Sequence, residues 1–116
     1  MIILIVDDNQ RMRGIIKNLL TAPGIDCIEC ENGAQAIQKF RELQPDWVLM
    51  DVIMPGMNGF ETSRNIIAEF PDAHIVIVTD YDDKEFRSTA EQIGAKGYIL
   101  KEELIKLRDI CSVSNL

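Results

Sequence analysis

Five residues spread along this 116-residue chain, Asp7, Asp8, Asp51, Thr79 and Lys101, are of types that together can handle a phosphoryl group. Three carboxylates within a few ångströms repel one another, so they need either raised pKa values or a cation. Oxygen-only ligands with room for water suit a hard divalent ion, Mg2+ first and Mn2+ close behind. Such an ion would neutralise the acids and clamp one phosphoryl oxygen. The Thr79 hydroxyl could donate to a second oxygen and the Lys101 ammonium could pair with a third. Asp51 is the natural nucleophile, since an aspartyl phosphate is an established kind of covalent intermediate. Catalysis would then come from positioning and charge neutralisation.

Each of these residues ends an apolar run, and that is what could gather them. Residues 2–6 are Ile-Ile-Leu-Ile-Val and stop at Asp7-Asp8; residues 47–50 are Trp-Val-Leu-Met and stop at Asp51. His74 to Val78 leads to Thr79, and Tyr98-Ile99-Leu100 leads to Lys101. Such runs read as strands buried on both faces. A further strand over 25–30 carries Asp26 and Glu29, which marks it as an edge; its end offers nothing of note. Helical spacing follows each strand. Met12, Ile15, Ile16, Leu19 and Leu20 form one inward face after a cap at Asn9, and Ala36, Ile37, Phe40 and Leu43 form another. Met54-Pro55-Gly56 supplies a turn, after which Asn58 can cap a helix with Phe60, Ser63, Ile67 and Phe70 inward. The helix predicted over 82–93 has only Phe86, Ala90 and Ile93 as its stripe and should be lightly anchored. A last helix runs from Glu102 with Leu104, Leu107 and Cys111 inward, and residues 111–116 read as a fraying tail. Five strand–helix alternations imply a doubly wound parallel sheet. Its binding crevice lies beyond the carboxyl ends of the strands.

Composition fits one globular domain: 47% of the residues are hydrophobic. A net charge of −7 leaves no basic stripe for nucleic acid. No stretch reaches membrane-spanning length, and the N-terminus lacks the basic region of a signal peptide, so a cytoplasmic location is expected. The three cysteines suit a reducing compartment. Cys27 and Cys30 should point to opposite sides of a strand, as core thiols and not as a metal pair. His74, the only histidine, has no second ligand or nucleophile in the pattern and reads as structural.

Over its whole length, residues 1–116, the chain resembles the receiver domain of two-component response regulators. The resemblance rests on Asp7-Asp8, on the stretch from Asp51 to Gly59, and on Thr79, Tyr98 and Lys101. The stretches 78–83 and 97–102 are most similar to NarL/LuxR-type regulators, whose receivers precede a DNA-binding helix-turn-helix domain. The resemblance implies a flavodoxin-like (βα)5 fold of strand order 2-1-3-4-5. It implies a signalling switch, not a turnover enzyme, in which Asp51 accepts phosphate from the phosphohistidine of a sensor histidine kinase. Asp8 and Asp51 would bind Mg2+ directly, Asp7 through water, and the Ile53 carbonyl would complete the site. Thr79 and Lys101 would hold phosphoryl oxygens, and Tyr98 would turn inward as Thr79 moves. A module excised from a longer regulator, and a homodimer formed on phosphorylation, are further expectations.

This sequence departs from the family at two places. Glu102 follows Lys101 where many receivers have proline, and a cis bond there would cost about 3 kcal/mol more than before proline. Asp80 stands where a small residue is usual, which should narrow access for small anionic phosphodonors. Large residues at Ile53 and Tyr81 flank the path of attacking water and imply slow loss of phosphate. Two other readings stay open: a Mg2+-dependent phosphohydrolase with an Asp nucleophile, although Ile53 holds the place of its second acid, and a degenerate receiver that only binds partners. Trp47, four residues from Asp51, offers itself as a fluorescence reporter that would separate them by Mg2+ titration. Nucleotide binding lacks the glycine-rich loops it requires.

Overall fold

The computed structural model describes residues 1–111, so the tail expected over 111–116 lies, beyond Cys111, outside the described residues. Five strands form one parallel sheet: β1 (Ile2–Val6), β2 (Asp26–Cys30), β3 (Trp47–Met50), β4 (Ile75–Thr79) and β5 (Gly97–Leu100). Their order is β2-β1-β3-β4-β5, with β2 at the edge as its acids predict. Val6 stands beside Met50 in the register, and Thr79 beside Leu100. The residues that follow these strands therefore emerge along one border.

Helices α1 (Gln10–Leu20), α2 (Gly33–Leu43), α3 (Gly59–Glu69), α4 (Lys84–Ile93) and α5 (Leu107–Cys111) cover both faces. Asparagines at 9, 32 and 58 accept backbone N–H groups three residues on, and so fix where α1, α2 and α3 begin. Alternate strand residues feed two cores. Leu4, Val6, Val48, Met50, Ile75 and Ile77 meet Ala36, Phe40, Phe60, Ile66 and Ala90 on one side. Ile3, Ile5, Leu49, Val76, Val78 and Ile99 meet Ile16, Leu20, Leu107 and Cys111 on the other. Each fully buried Ile or Leu contributes about 2 kcal/mol, enough in sum to hold a costly polar cluster at the border. Cys27 and Cys30 join opposite cores, as strand geometry requires, and both are free thiols.

Several expectations need correction. Ile15 is exposed, because the stripe of α1 that meets the sheet is Met12, Ile16 and Leu20, narrower than the apolar spacing suggests. Leu43 is exposed in the last turn of α2. The last helix is not continuous: a 3-10 segment spans Lys101–Lys106, with a break at Glu103 (φ −119°, ψ 26°), before α5 begins. There the Glu103 carboxylate accepts the Leu100 N–H at 3.3 Å and pairs with Lys106 at 2.6 Å. The light anchoring of α4 is borne out, since Ala90 is its one buried residue. Among the described residues no helix is long and apolar enough to cross a membrane.

Candidate functional site

At the carboxyl border, β1 delivers Asp7 and Asp8, and β3 delivers Asp51. One carboxylate oxygen from each lies within 4.8 Å of the others. Asp7 and Asp51 are buried and Asp8 is exposed, so the cluster opens to solvent on one side. The Lys101 ammonium, at the end of β5, reaches Asp7 at 3.1 Å and Asp51 at 3.3 Å. Local bonds fix the acids further. Asp7 Oδ1 accepts the Asn9 N–H at 2.8 Å, and Asp51 Oδ1 accepts the Val52 N–H at 3.0 Å. Burial, then the neighbouring Asp7, pushes the Asp51 carboxyl up to about 6, against the pull of Lys101. Burial works against the Lys101 ammonium, but Asp51 and Asp7 outweigh it and hold its pKa above the ordinary lysine value.

The loop after β3 keeps Asp51 in place. Gly56 turns the chain at φ +79°, Asn58 caps α3, and the Gly59 N–H donates to the Val52 carbonyl at 2.9 Å. A Cβ at Gly59 would collide with the Asp51 carbonyl oxygen, so only glycine lets α3 start this close to the acid. The Ile53 side chain projects outward from this loop and is 54% exposed.

Thr79 is buried at the end of β4, where its hydroxyl accepts the Tyr81 N–H at 3.3 Å. Tyr98 stands further out on β5. Its hydroxyl donates to the Tyr81 carbonyl at 2.5 Å, and the Arg87 guanidinium lies over its ring, 4.5 Å from the centroid. Burial, only partly offset by Arg87, raises the pKa of this phenol. Tyr81 thus links Thr79 to Tyr98, and α4 to both. The sequence pattern offered no sign of this link or of Arg87, because both depend on contacts across the sheet.

The structure brings Asp7, Asp8, Asp51 and Lys101 together; Thr79 ends the strand beside β5, and Tyr98 stands one step removed. The peptide bond between Lys101 and Glu102 is trans. Trp47 is a correction: it opens β3 at the opposite border, in tilted ring contact with His74 at 4.9 Å, roughly 13 Å of strand from Asp51. It is too distant to report on the acids. His74 is an exposed ring partner, in keeping with a structural role. Burial pushes the Cys30 thiol up to about 11 and the Cys111 thiol up to about 12, which suits inert core residues.

A parallel, doubly wound sheet with three acids and a lysine at its carboxyl border defines an α/β domain built around a polar, cation-binding type of site. More narrowly, the model of the response regulator receiver domain matches residues 3–112, and the chain belongs to that family. It is therefore a receiver domain of two-component signalling, a phosphorylation-switch module. It is 39% identical to an uncharacterized transcriptional regulatory protein, YhcZ, of Bacillus subtilis (strain 168), over 93% of this chain and 53% of the relative. The chain spans about half the length of the first curated relatives it matches. Its backbone follows that of a LuxR-family two-component response regulator from Aurantimonas sp. SI85-9A1, with a TM-score of 0.84 and 29% identity over 95% of this chain and 83% of that one. Response regulator TrrA from Thermotoga maritima, solved in complex with Mg(2+)-BeF, is 33% identical with a TM-score of 0.77, over 85% of this chain and 84% of that one.

The donor set fits a hard divalent ion. It offers carboxylate oxygens only, partly open to solvent, with one ammonium contacting two of the three acids.

Proposed function

We propose that Asp51 accepts a phosphoryl group from the phosphohistidine of a sensor histidine kinase. Its carboxylate oxygen attacks phosphorus, the P–N bond breaks, and the electron pair stays on the imidazole nitrogen. Asp7, Asp8 and Asp51, with the Ile53 carbonyl, would hold Mg2+, or Mn2+ in its place. That ion supplies charge neutralisation at the transferring oxygens. Lys101 holds one phosphoryl oxygen and Thr79 donates to another. Thr79 leaves only a long 3.3 Å bond from the Tyr81 N–H when it turns toward the phosphate. Tyr98 follows through the Tyr81 carbonyl that it already grips. Moving such a two-state element from 1:99 to 99:1 takes roughly 5.5 kcal/mol of differential stabilisation, within reach of a few charge-assisted hydrogen bonds.

The observation that carries this reading is the Lys101 ammonium seated against both Asp7 and Asp51. The protein acts as a switch and not as a turnover enzyme, and works in the cytoplasm. Residues 1–116 form one receiver unit of a longer regulator, with a C-terminal helix-turn-helix that binds DNA and a homodimer formed on phosphorylation. A length about half that of the first curated relatives supports this arrangement. Intact-mass measurement after incubation with acetyl phosphate and Mg2+ is the test. Wild type should gain one phosphoryl group and Asp51→Asn none; equal labelling of the two would sink the assignment.

A further inference from the structure

The acids at positions 7 and 8 are held from behind by a residue outside the cluster. Arg13, in the second turn of α1, has a side chain only 11% exposed. Its Nη1 donates to the backbone carbonyl of Asp7 at 2.5 Å, and its Nε donates to Glu29 at 3.0 Å. That carbonyl belongs to the peptide joining Asp7 to Asp8, so its orientation sets the directions in which the two carboxylates leave the chain. Glu29 stands on β2, the strand whose end otherwise adds nothing to the site, and Lys17 approaches the same carboxylate at 3.8 Å. A planar guanidinium can grip a carbonyl and a carboxylate at once, which a point-charge ammonium does poorly. Both bonds are charge-assisted; the one to the Asp7 carbonyl is partly buried and the one to Glu29 lies at the surface.

The geometry points to Arg13 as a positioning residue for the acid cluster, anchored by Glu29, so that the edge strand helps set cation affinity. This inference rests on the Mg2+ site proposed above. Simple electrostatics gives the opposite expectation, because removing a cation near three carboxylates should make Mg2+ bind more tightly. The two effects therefore separate by sign.

Calorimetric titration with Mg2+ at fixed ionic strength, on wild type, Arg13→Ala, Arg13→Lys and Glu29→Gln, tests it. Arg13→Ala should bind about tenfold more weakly, the size of effect typical when a partner behind a metal ligand is lost. Arg13→Lys should not restore affinity, and Glu29→Gln should show a smaller loss of the same sign. Equal or tighter binding by a folded Arg13→Ala protein overturns the proposal. A second readout needs no metal. The Asn9 amide, bonded to Asp7 Oδ1 at 2.8 Å, should exchange faster with deuterium in Arg13→Ala and Glu29→Gln while α2 amides keep their protection. If Arg13→Ala fails to fold, Glu29→Gln decides by Asn9 exchange alone, since removing an anion weakens Mg2+ binding on either account: unchanged exchange overturns the idea. If wild type takes no Mg2+, the functional reading fails, and Asn9 exchange still judges Arg13.

Discussion

The two borders of the sheet handle charge in opposite ways. At the amino-terminal border the Asp46 carboxylate accepts the Ile2 N–H at 2.8 Å, while Trp47 meets His74 and Phe40 meets Phe70 in tilted ring contacts. That acid ties its loop to the start of β1, far away in the chain, and belongs to the closure of the fold, whereas the backbone bonds of Asp7 and Asp51 reach only their near neighbours Asn9 and Val52. At the carboxyl border three acids crowd together, two of them buried, and one of these is left with a pKa of about 6. Charge that the fold uses for its own closure is structural; charge held in mutual repulsion is kept for something that arrives later. The contrast separates Asp51 from Asp46 without any reference to relatives.

Removing Lys101 should break this contrast most severely. In Lys101→Met, Asp7 and Asp51 lose their shared partner, which is 12% exposed in its side chain. A loss of about 3 kcal/mol is expected in metal-free protein at neutral pH, read by urea denaturation. Phosphoryl incorporation should fall in the same variant.

A titration sharpens the contrast next. The Asp51 pKa is raised on folding, from about 4 to about 6, so between those values the native protein keeps a proton that the unfolded chain has released. The stability from this group is complete below pH ~4, is lost as pH rises through about 6, and stays level above that. The step should be roughly 3 kcal/mol in metal-free protein. Thermal melts across this range should show it in wild type and not in Asp51→Asn. Parallel curves for the two proteins would remove the basis for calling Asp51 strained.

The smaller effects belong to the other border and to the core. Asp46→Ala should cost about 1 kcal/mol for one lost hydrogen bond at an exposed site, with phosphoryl incorporation untouched. Ser63, buried in α3 with a hydroxyl that has no hydrogen-bond partner, gives the mildest test. Ser63→Ala should leave urea stability unchanged or raise it by up to about 1 kcal/mol.

Much of this arrangement was legible in the sequence because both features that define the site are local. An apolar run announces a strand buried on both faces, and the polar residue that ends it announces where the border lies. Asp51, Thr79 and Lys101 follow from that rule alone. What was not legible depends on how far an element extends over its neighbour. Ile15 and Leu43 obey helical spacing yet lie exposed, one beside the buried stripe of α1 and one in the last turn of α2. Trp47 is near Asp51 in the chain but far in space, because a strand is extended. The 3-10 segment after Lys101 arises from a side chain turning back on its own backbone at Glu103, which no apolar period encodes. Arg13 and Glu29 are charged residues on a helix and an edge strand, and only the packing of one on the other gives them a common task.

Helix α4 meets the rest of the domain through one buried alanine, the half-buried Phe86 and Ile93, and the contact of Arg87 with Tyr98 at its rim. A segment held so sparingly can shift while the sheet beneath keeps every hydrogen bond, since local openings cost far less than global ones. Information can then leave the acidic border by the route of least mechanical resistance, and the precision of the chemistry need not be loosened to send it.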